Sequence, residues 1–140
     1  MDLAKFARDF LTRAEERLKA ADDALKRGSF PEVIRFSQEA TELSLKAAMR
    51  FKGIEYPKVH DVADVLLLNK PRFAGWFREK IEWMASFSAE MAKKRSLALY
   101  GIEASGKSPS EIFDDPEEAA KALADAKKVL SLCARAIREG

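Results

Sequence analysis

The sequence predicts an all-α fold: an up-and-down four-helix bundle with one additional short helix, in a single domain over residues 1–140. Three observations predict it. Apolar residues recur at steps of three and four along four long segments. Glycine or proline falls at the ends of those segments, where helices stop and start. No stretch alternates apolar and polar residues as a half-buried strand would, and no repeat of 20–50 residues is present.

The first segment runs from about Asp2 to Arg27. Leu3, Phe6, Phe10, Ala14, Leu18, Ala21 and Leu25 would share one face, with Arg13, Glu16, Lys19 and Asp23 elsewhere. Gly28 is the natural stop. "SFPE", Ser29–Glu32, has the form of a capping box, with Pro31 tolerated in the first turn. The second helix would then reach about Lys52. Val33, Phe36, Ala40, Leu43, Ala47 and Phe51 form one stripe, and Ile34, Leu45, Ala48 and Met49 a second. So wide an apolar surface predicts a helix packed on more than one side.

Gly53 closes that helix, and the loop "IEYPK" leads to "HDVADVLLL", about two turns of helix. Asp61, near its start, suits the positive end of the helix dipole. Asn69 and Pro71 separate it from a long helix over about Arg72 to Tyr100, with Phe73, Trp76, Phe77, Ile81, Met84, Phe87 and Met91 as its stripe. "EASGKSPSEIFDD", Glu103–Asp115, is expected to be a long loop. "DPEE" opens the last helix, with Asp115 as N-cap and Pro116 at N1. Leu123, Ala126, Leu130, Cys133 and Ile137 would line its inner face.

Bulk properties narrow the function. With 25 basic and 23 acidic residues the net charge is +2, too balanced to argue for nucleic acid or a membrane surface. One cysteine, Cys133, cannot form an internal disulfide and fits a reducing, cytoplasmic interior. "MDLAKFARDF" lacks the apolar core of a signal peptide, and the longest clear apolar run is Val65–Leu68. No membrane association is expected.

His60 is the chain's only histidine. One His and one Cys 73 residues apart do not make a zinc site, so no metal is expected. The pair His60-Asp61 resembles metal-dependent phosphohydrolases, but those need several further histidines. There is no G-x-S-x-G nucleophile elbow and no Gly-rich phosphate loop, and no cofactor is expected. From Arg50 to Arg95 ten basic residues face six acidic ones. Arg50, Lys52, Lys58, Lys70, Arg72 and Lys93–Arg95 could form a weakly positive side whose phosphate contacts would be salt-sensitive; the alternative is solvated helix faces. Gln38, Glu42 and Lys46 fall at i, i+4 and i+8. They form either a local ladder worth a few tenths of a kcal/mol per pair or polar registry at a helix or dimer interface. Trp76, seven residues before Trp83, is core or an interface residue.

Phe30–Leu67 carries an aromatic before the helix, Gln-Glu-Ala at its middle, a Lys one turn before its end, then Gly-x-x-x-Pro-x-x-His-Asp and a short apolar helix. This resembles the HEPN family of small helical domains. Arg95–Leu130, with an Arg and a Tyr-Gly before a loop and an acidic helix start, is similar to the C-terminal half of archaeal-type members. The resemblance implies an up-and-down bundle, commonly a homodimer, paired in many members with a separately encoded minimal nucleotidyltransferase in a toxin–antitoxin-like two-component system. Catalytic members are metal-independent ribonucleases with an Arg followed by four to six residues and a His. This chain departs from that motif. Nine residues separate Arg50 from His60, too many for the motif, no Arg occupies residues 53–55, and no His follows Arg95. The tyrosine that some members carry just past the motif His, the target of AMP transfer, has no counterpart near His60.

Two readings of His60 follow. It caps or pins a bundle loop, or it meets a phosphate or nucleotide together with Lys58, Arg95 and Tyr100. Imidazole titrates near neutrality, which suits acid or base work if it is well placed. The leading expectation is a HEPN-type binding module, homodimeric and associated with a nucleotidyltransferase, that binds nucleotide. The alternatives are a ribonuclease using His60 with Arg50 or Arg95 on RNA, and a purely structural dimer module.

Overall fold

The computed structural model describes residues 2–140. Four long helices form the body: α1 (Leu3–Lys26), α2 (Phe30–Phe51), α4 (Gly75–Tyr100) and α6 (Pro116–Glu139). Two short helices, α3 (Ala63–Leu68) and α5 (Pro109–Ile112), and 3-10 turns at Lys70–Arg72 and Glu103–Ser105 fill the connections. The described residues contain no strand, only an isolated bridge between Ile102 and Lys107. None of their helices is long and apolar enough to cross a membrane.

The helix ends follow local chemistry. Asp2 caps α1 by accepting from the Lys5 amide at 3.1 Å. Both α1 and α2 end in Schellman motifs. Gly28 and Gly53 take φ of 73° and 72°, a left-handed conformation that costs a glycine nothing. The following amides, Ser29 and Ile54, donate back to Ala24 and Met49, each at 2.9 Å. The capping box expected at Ser29–Glu32 does not form: Ser29 makes no side-chain cap bond, and Glu32 accepts from Arg35 at 2.8 Å instead. A capping box does form at Ser108–Glu111, both bonds at 3.3 Å, and it opens α5. The segment expected to be a long loop thus holds a 3-10 turn, a bridged turn and a short helix. Asp115 caps α6 as expected, accepting from Glu117 at 2.9 Å.

The tight turn after α1 makes α1 and α2 antiparallel. Contacts of Gln38 with Arg95 and of Lys52 with Arg72 run α4 antiparallel to α2. Trp76 with Arg135 and Lys94 with Glu118 do the same for α6 against α4. The up-and-down order is therefore complete.

Helix α2 packs against all three other long helices, as its two apolar stripes predict. Val33, Ile34, Leu45 and Met49 are fully buried beside Phe77, Ile81, Met84 and Met91 of α4. The α1 face differs in part from expectation: Ala14, Leu18 and Ala21 are buried as expected, but the bulky residues towards the two ends are not. Ala7, Ala14, Ala21 and Ala24 are buried, while Phe6 is 45% exposed and Leu3, Phe10 and Leu25 are partly so. Small residues at seven-residue spacing let α1 approach α2 closely, which turns the bulky residues to the flanks of the contact.

The loop from Gly53 to Val62 is held at both ends. Ile54 and Val62 are buried. Near its far end Asp61 Oδ1 accepts from the Ala63 amide at 2.9 Å and from the Ser88 hydroxyl of α4 at 3.0 Å. That clasp sets where His60 stands.

Candidate functional site

His60 turns back to α2. Its Nδ1 donates to Glu42 Oε1 at 2.8 Å. It neither caps a helix nor bonds a backbone carbonyl, and its side chain is 57% exposed. Nδ1 is engaged, and Nε2 has no partner among the described residues.

Glu42 is the hub of this contact. Gln38 donates to its Oε1 at 3.0 Å and Lys46 to its Oε2 at 2.8 Å. Burial pushes the Glu42 carboxyl up. The bonds from Lys46, Gln38 and His60 and the Lys46 charge outweigh it and hold the carboxyl below its ordinary value. Glu42 is thus a fixed negative charge that orients His60.

The network continues through Gln38. Its Oε1 accepts from Arg95 Nη1 at 2.9 Å, and the same nitrogen donates to Glu39 Oε2 at 2.8 Å. The other Glu39 oxygen accepts from Arg17 Nε of α1 at 2.8 Å. Arg35 stands 3.8 Å from Glu39 but makes its short contact, 2.8 Å, with Glu32. The helices α1, α2 and α4 and the His60 loop are thereby tied into one polar layer. Its centre is largely shielded, with Glu42 17% and Arg95 20% exposed at the side chain, while His60 stands at its exposed edge. Low exposure strengthens such charge-assisted bonds.

Above this layer lies a groove in two parts. One part, about 180 Å³, is lined by Arg13, Arg17, Glu39, Glu42, Leu43, His60 and Arg95. The other, about 270 Å³, is lined by His60, Ala92, Arg95, Ser96, Leu99 and Tyr100. His60 and Arg95 belong to both. The first part is charged; the second adds a half-apolar wall ending at Tyr100, which is 69% exposed.

Two groups expected to be separate therefore meet. Gln38, Glu42 and Lys46 sit within the same network as His60 and Arg95, with Tyr100 at the far end of the groove. Lys58 is exposed and lines neither part. Arg50 points elsewhere: it reaches the Tyr56 hydroxyl at 3.5 Å and lies over the rings of Phe6 and Tyr56. Trp76 is partly buried, edge-on to Phe77, with Arg135 stacked 3.8 Å from its centroid. Arg13, Arg17 and Glu39 were not foreseen. The one signal was the i, i+4 spacing of Arg13 and Arg17, which is common on any solvated helix. No cluster of His, Cys, Asp and Glu suited to a metal occurs among the described residues.

A family model described as HEPN domain matches residues 7–137, nearly the whole chain. No curated protein and no solved structure matches it.

Proposed function

Because the chain belongs to the HEPN domain family, we propose that it is a nucleotide-binding helical module, a cytoplasmic homodimer that works with a separately encoded minimal nucleotidyltransferase in a toxin–antitoxin-like pair. The observation that supports nucleotide binding is the shared lining of the groove. His60 and Arg95 stand between a cationic part and a part walled by Leu99 and Tyr100. A nucleotide needs both: charge-assisted donors for phosphate and an apolar or aromatic surface for the base.

The partner reading draws on the exposed apolar side chains Phe6, Val59, Leu67, Leu68, Tyr100 and Ile102, with Leu68 83% exposed. Apolar surface of this kind marks protein contacts where it is contiguous. Isothermal titration with ribonucleotides tests the binding. Wild type is expected to bind and folded Arg95→Ala to bind about tenfold more weakly or worse. No binding by wild type would overturn the nucleotide reading. Sedimentation equilibrium tests the dimer separately.

One observation favours a second reading, a metal-independent ribonuclease. His60 is exposed and shares the groove with Arg95 although the two are 35 positions apart in sequence. Arg50 has no part in it. RNA cleavage without added metal that disappears in folded His60→Ala and Arg95→Ala would establish this activity. A purely structural role, in which His60 pins its loop to α2 through Glu42, predicts instead that His60→Ala lowers stability without the loss of any ligand, although the ring is exposed rather than buried.

A further inference from the structure

The cationic half of the groove has more positive charge than its own carboxylates use. Its lining sets Arg13, Arg17 and Arg95 against Glu39 and Glu42, and Lys46, outside the lining, already neutralises Glu42. The nitrogens with carboxylate partners are few. Arg17 gives only Nε to Glu39, and Arg95 gives only Nη1. Arg13 has no carboxylate within 4 Å among the described residues; its guanidinium lies 5.8 Å from the Phe10 ring centroid. The remaining guanidinium nitrogens are donors without acceptors, and His60 Nε2, opposite the nitrogen that donates to Glu42, has no partner among the described residues either. They come from α1, α4 and the His60 loop and line one cleft, with Glu39 fixing Arg17 and Arg95 in place.

Taking the nucleotide reading as its basis, we infer that this cleft is a receptor for a terminal phosphate monoester, the 5′-phosphate of a nucleoside monophosphate being the class that fits. A monoester carries about −1.5 to −2 charge near neutrality and three strongly accepting oxygens. That suits a cleft lined by more cations than carboxylates, with several forked donors left over. A phosphodiester carries a single charge and offers two terminal oxygens rather than three, so it satisfies fewer of the donors and less of the charge. Backbone diesters are also served best by cations spread along a track, whereas Arg13, Arg17 and Arg95 line a single cleft. The nucleoside then extends past Arg95 along Ser96 and Leu99 towards Tyr100.

The test is isothermal titration at fixed low salt with adenosine and uridine 5′-monophosphates, their 3′,5′-cyclic monophosphates, the nucleosides and inorganic phosphate. The 5′-monophosphates are expected to bind at least about tenfold more tightly than the cyclic diesters and than phosphate alone. Arg13→Glu, an exposed position whose change spares the Glu39 contacts, is expected to cost the monophosphates about tenfold and the cyclic diesters much less. Arg95→Lys, which keeps charge but loses the fork, is expected to weaken the monophosphates as well. Equal binding of monophosphate and cyclic diester, or indifference to Arg13→Glu, would overturn the monoester receptor while leaving nucleotide binding intact. Inorganic phosphate binding as tightly as the monophosphates would assign the cleft to the free anion and also overturn it. Absence of binding by every nucleotide would remove both readings together.

Discussion

His60 Nδ1 lies 2.8 Å from Glu42 Oε1, eighteen residues earlier in the chain. A loop residue is thereby oriented by a carboxylate on the most deeply packed helix of the bundle. The ring is exposed but its direction is fixed from below, and its free nitrogen faces a groove that three arginines share. The consequences can be tested one at a time.

Glu42 should give stability a specific acid dependence. Burial raises its carboxyl, and bonds from Lys46, Gln38 and His60 outweigh that and lower it. A folded value below the unfolded one adds stability that is complete above the ordinary carboxylate range, about pH 4–5, and lost as pH falls through the folded value. Glu42→Gln should therefore cost roughly 1–3 kcal/mol at pH 7, and the gap from wild type should shrink towards pH 3. Urea melts across that range measure it, and a gap that does not change with pH would contradict the account.

Asp61 should hold the loop more than it holds the fold. It accepts from the Ala63 amide and the Ser88 hydroxyl. Asp61→Ala is expected to lower stability by about 1 kcal/mol but to speed amide exchange at residues 60–63 disproportionately. Hydrogen exchange read against the global unfolding energy separates the two effects. Exchange slowed only by global unfolding, in the variant as in wild type, would show that the clasp is dispensable.

Phe77 should be among the most costly core positions. It is fully buried, stacked 4.7 Å from Phe73 and edge-on to Trp76 at 5.7 Å. Phe77→Ala should destabilise by about 3–5 kcal/mol, from lost transfer energy and the cavity left behind. Chemical denaturation of the variant checks this, and a loss below about 1 kcal/mol would mean the site collapses freely.

Cys133 should be inert in the native protein. Burial on α6 pushes its thiol pKa up and removes access, so the reactive thiolate is scarce. A thiol reagent is expected to label it only at the rate of unfolding. Rapid labelling under native conditions would show that α6 opens locally.

The helices were legible in the sequence because each long one keeps its apolar period for about four turns or more and ends at glycine or opens with proline. The sides they present were less so. Along α1 the sequence favours Phe6 and Phe10 over Ala7, since hydrophobicity ranks phenylalanine higher. Close helix packing selects the smaller residue instead. The capping pattern fits both Ser29–Glu32 and Ser108–Glu111; only the second forms, because Arg35 competes for Glu32. At the groove, His60 and Arg95 could be named from their chemistry and from the family resemblance. Arg17 and Glu39 could not. Their pairing joins residues 22 apart on two helices, and Arg95 reaches Glu39 across 56 residues. Such contacts depend on helix register, which one sequence does not encode in any local pattern.

The two tryptophans provide an internal optical probe with a limited field of view. Trp76 and Trp83 both belong to α4, and both are stacked by cations of α6, Arg135 and Lys128 at 3.8 and 4.7 Å. Neither lines the groove. Their emission will therefore follow the separation of α4 from α6 and give a clean unfolding signal. A ligand settling on His60 and Arg95 will leave that emission almost unchanged, so a silent fluorescence titration would not mean that nothing had bound.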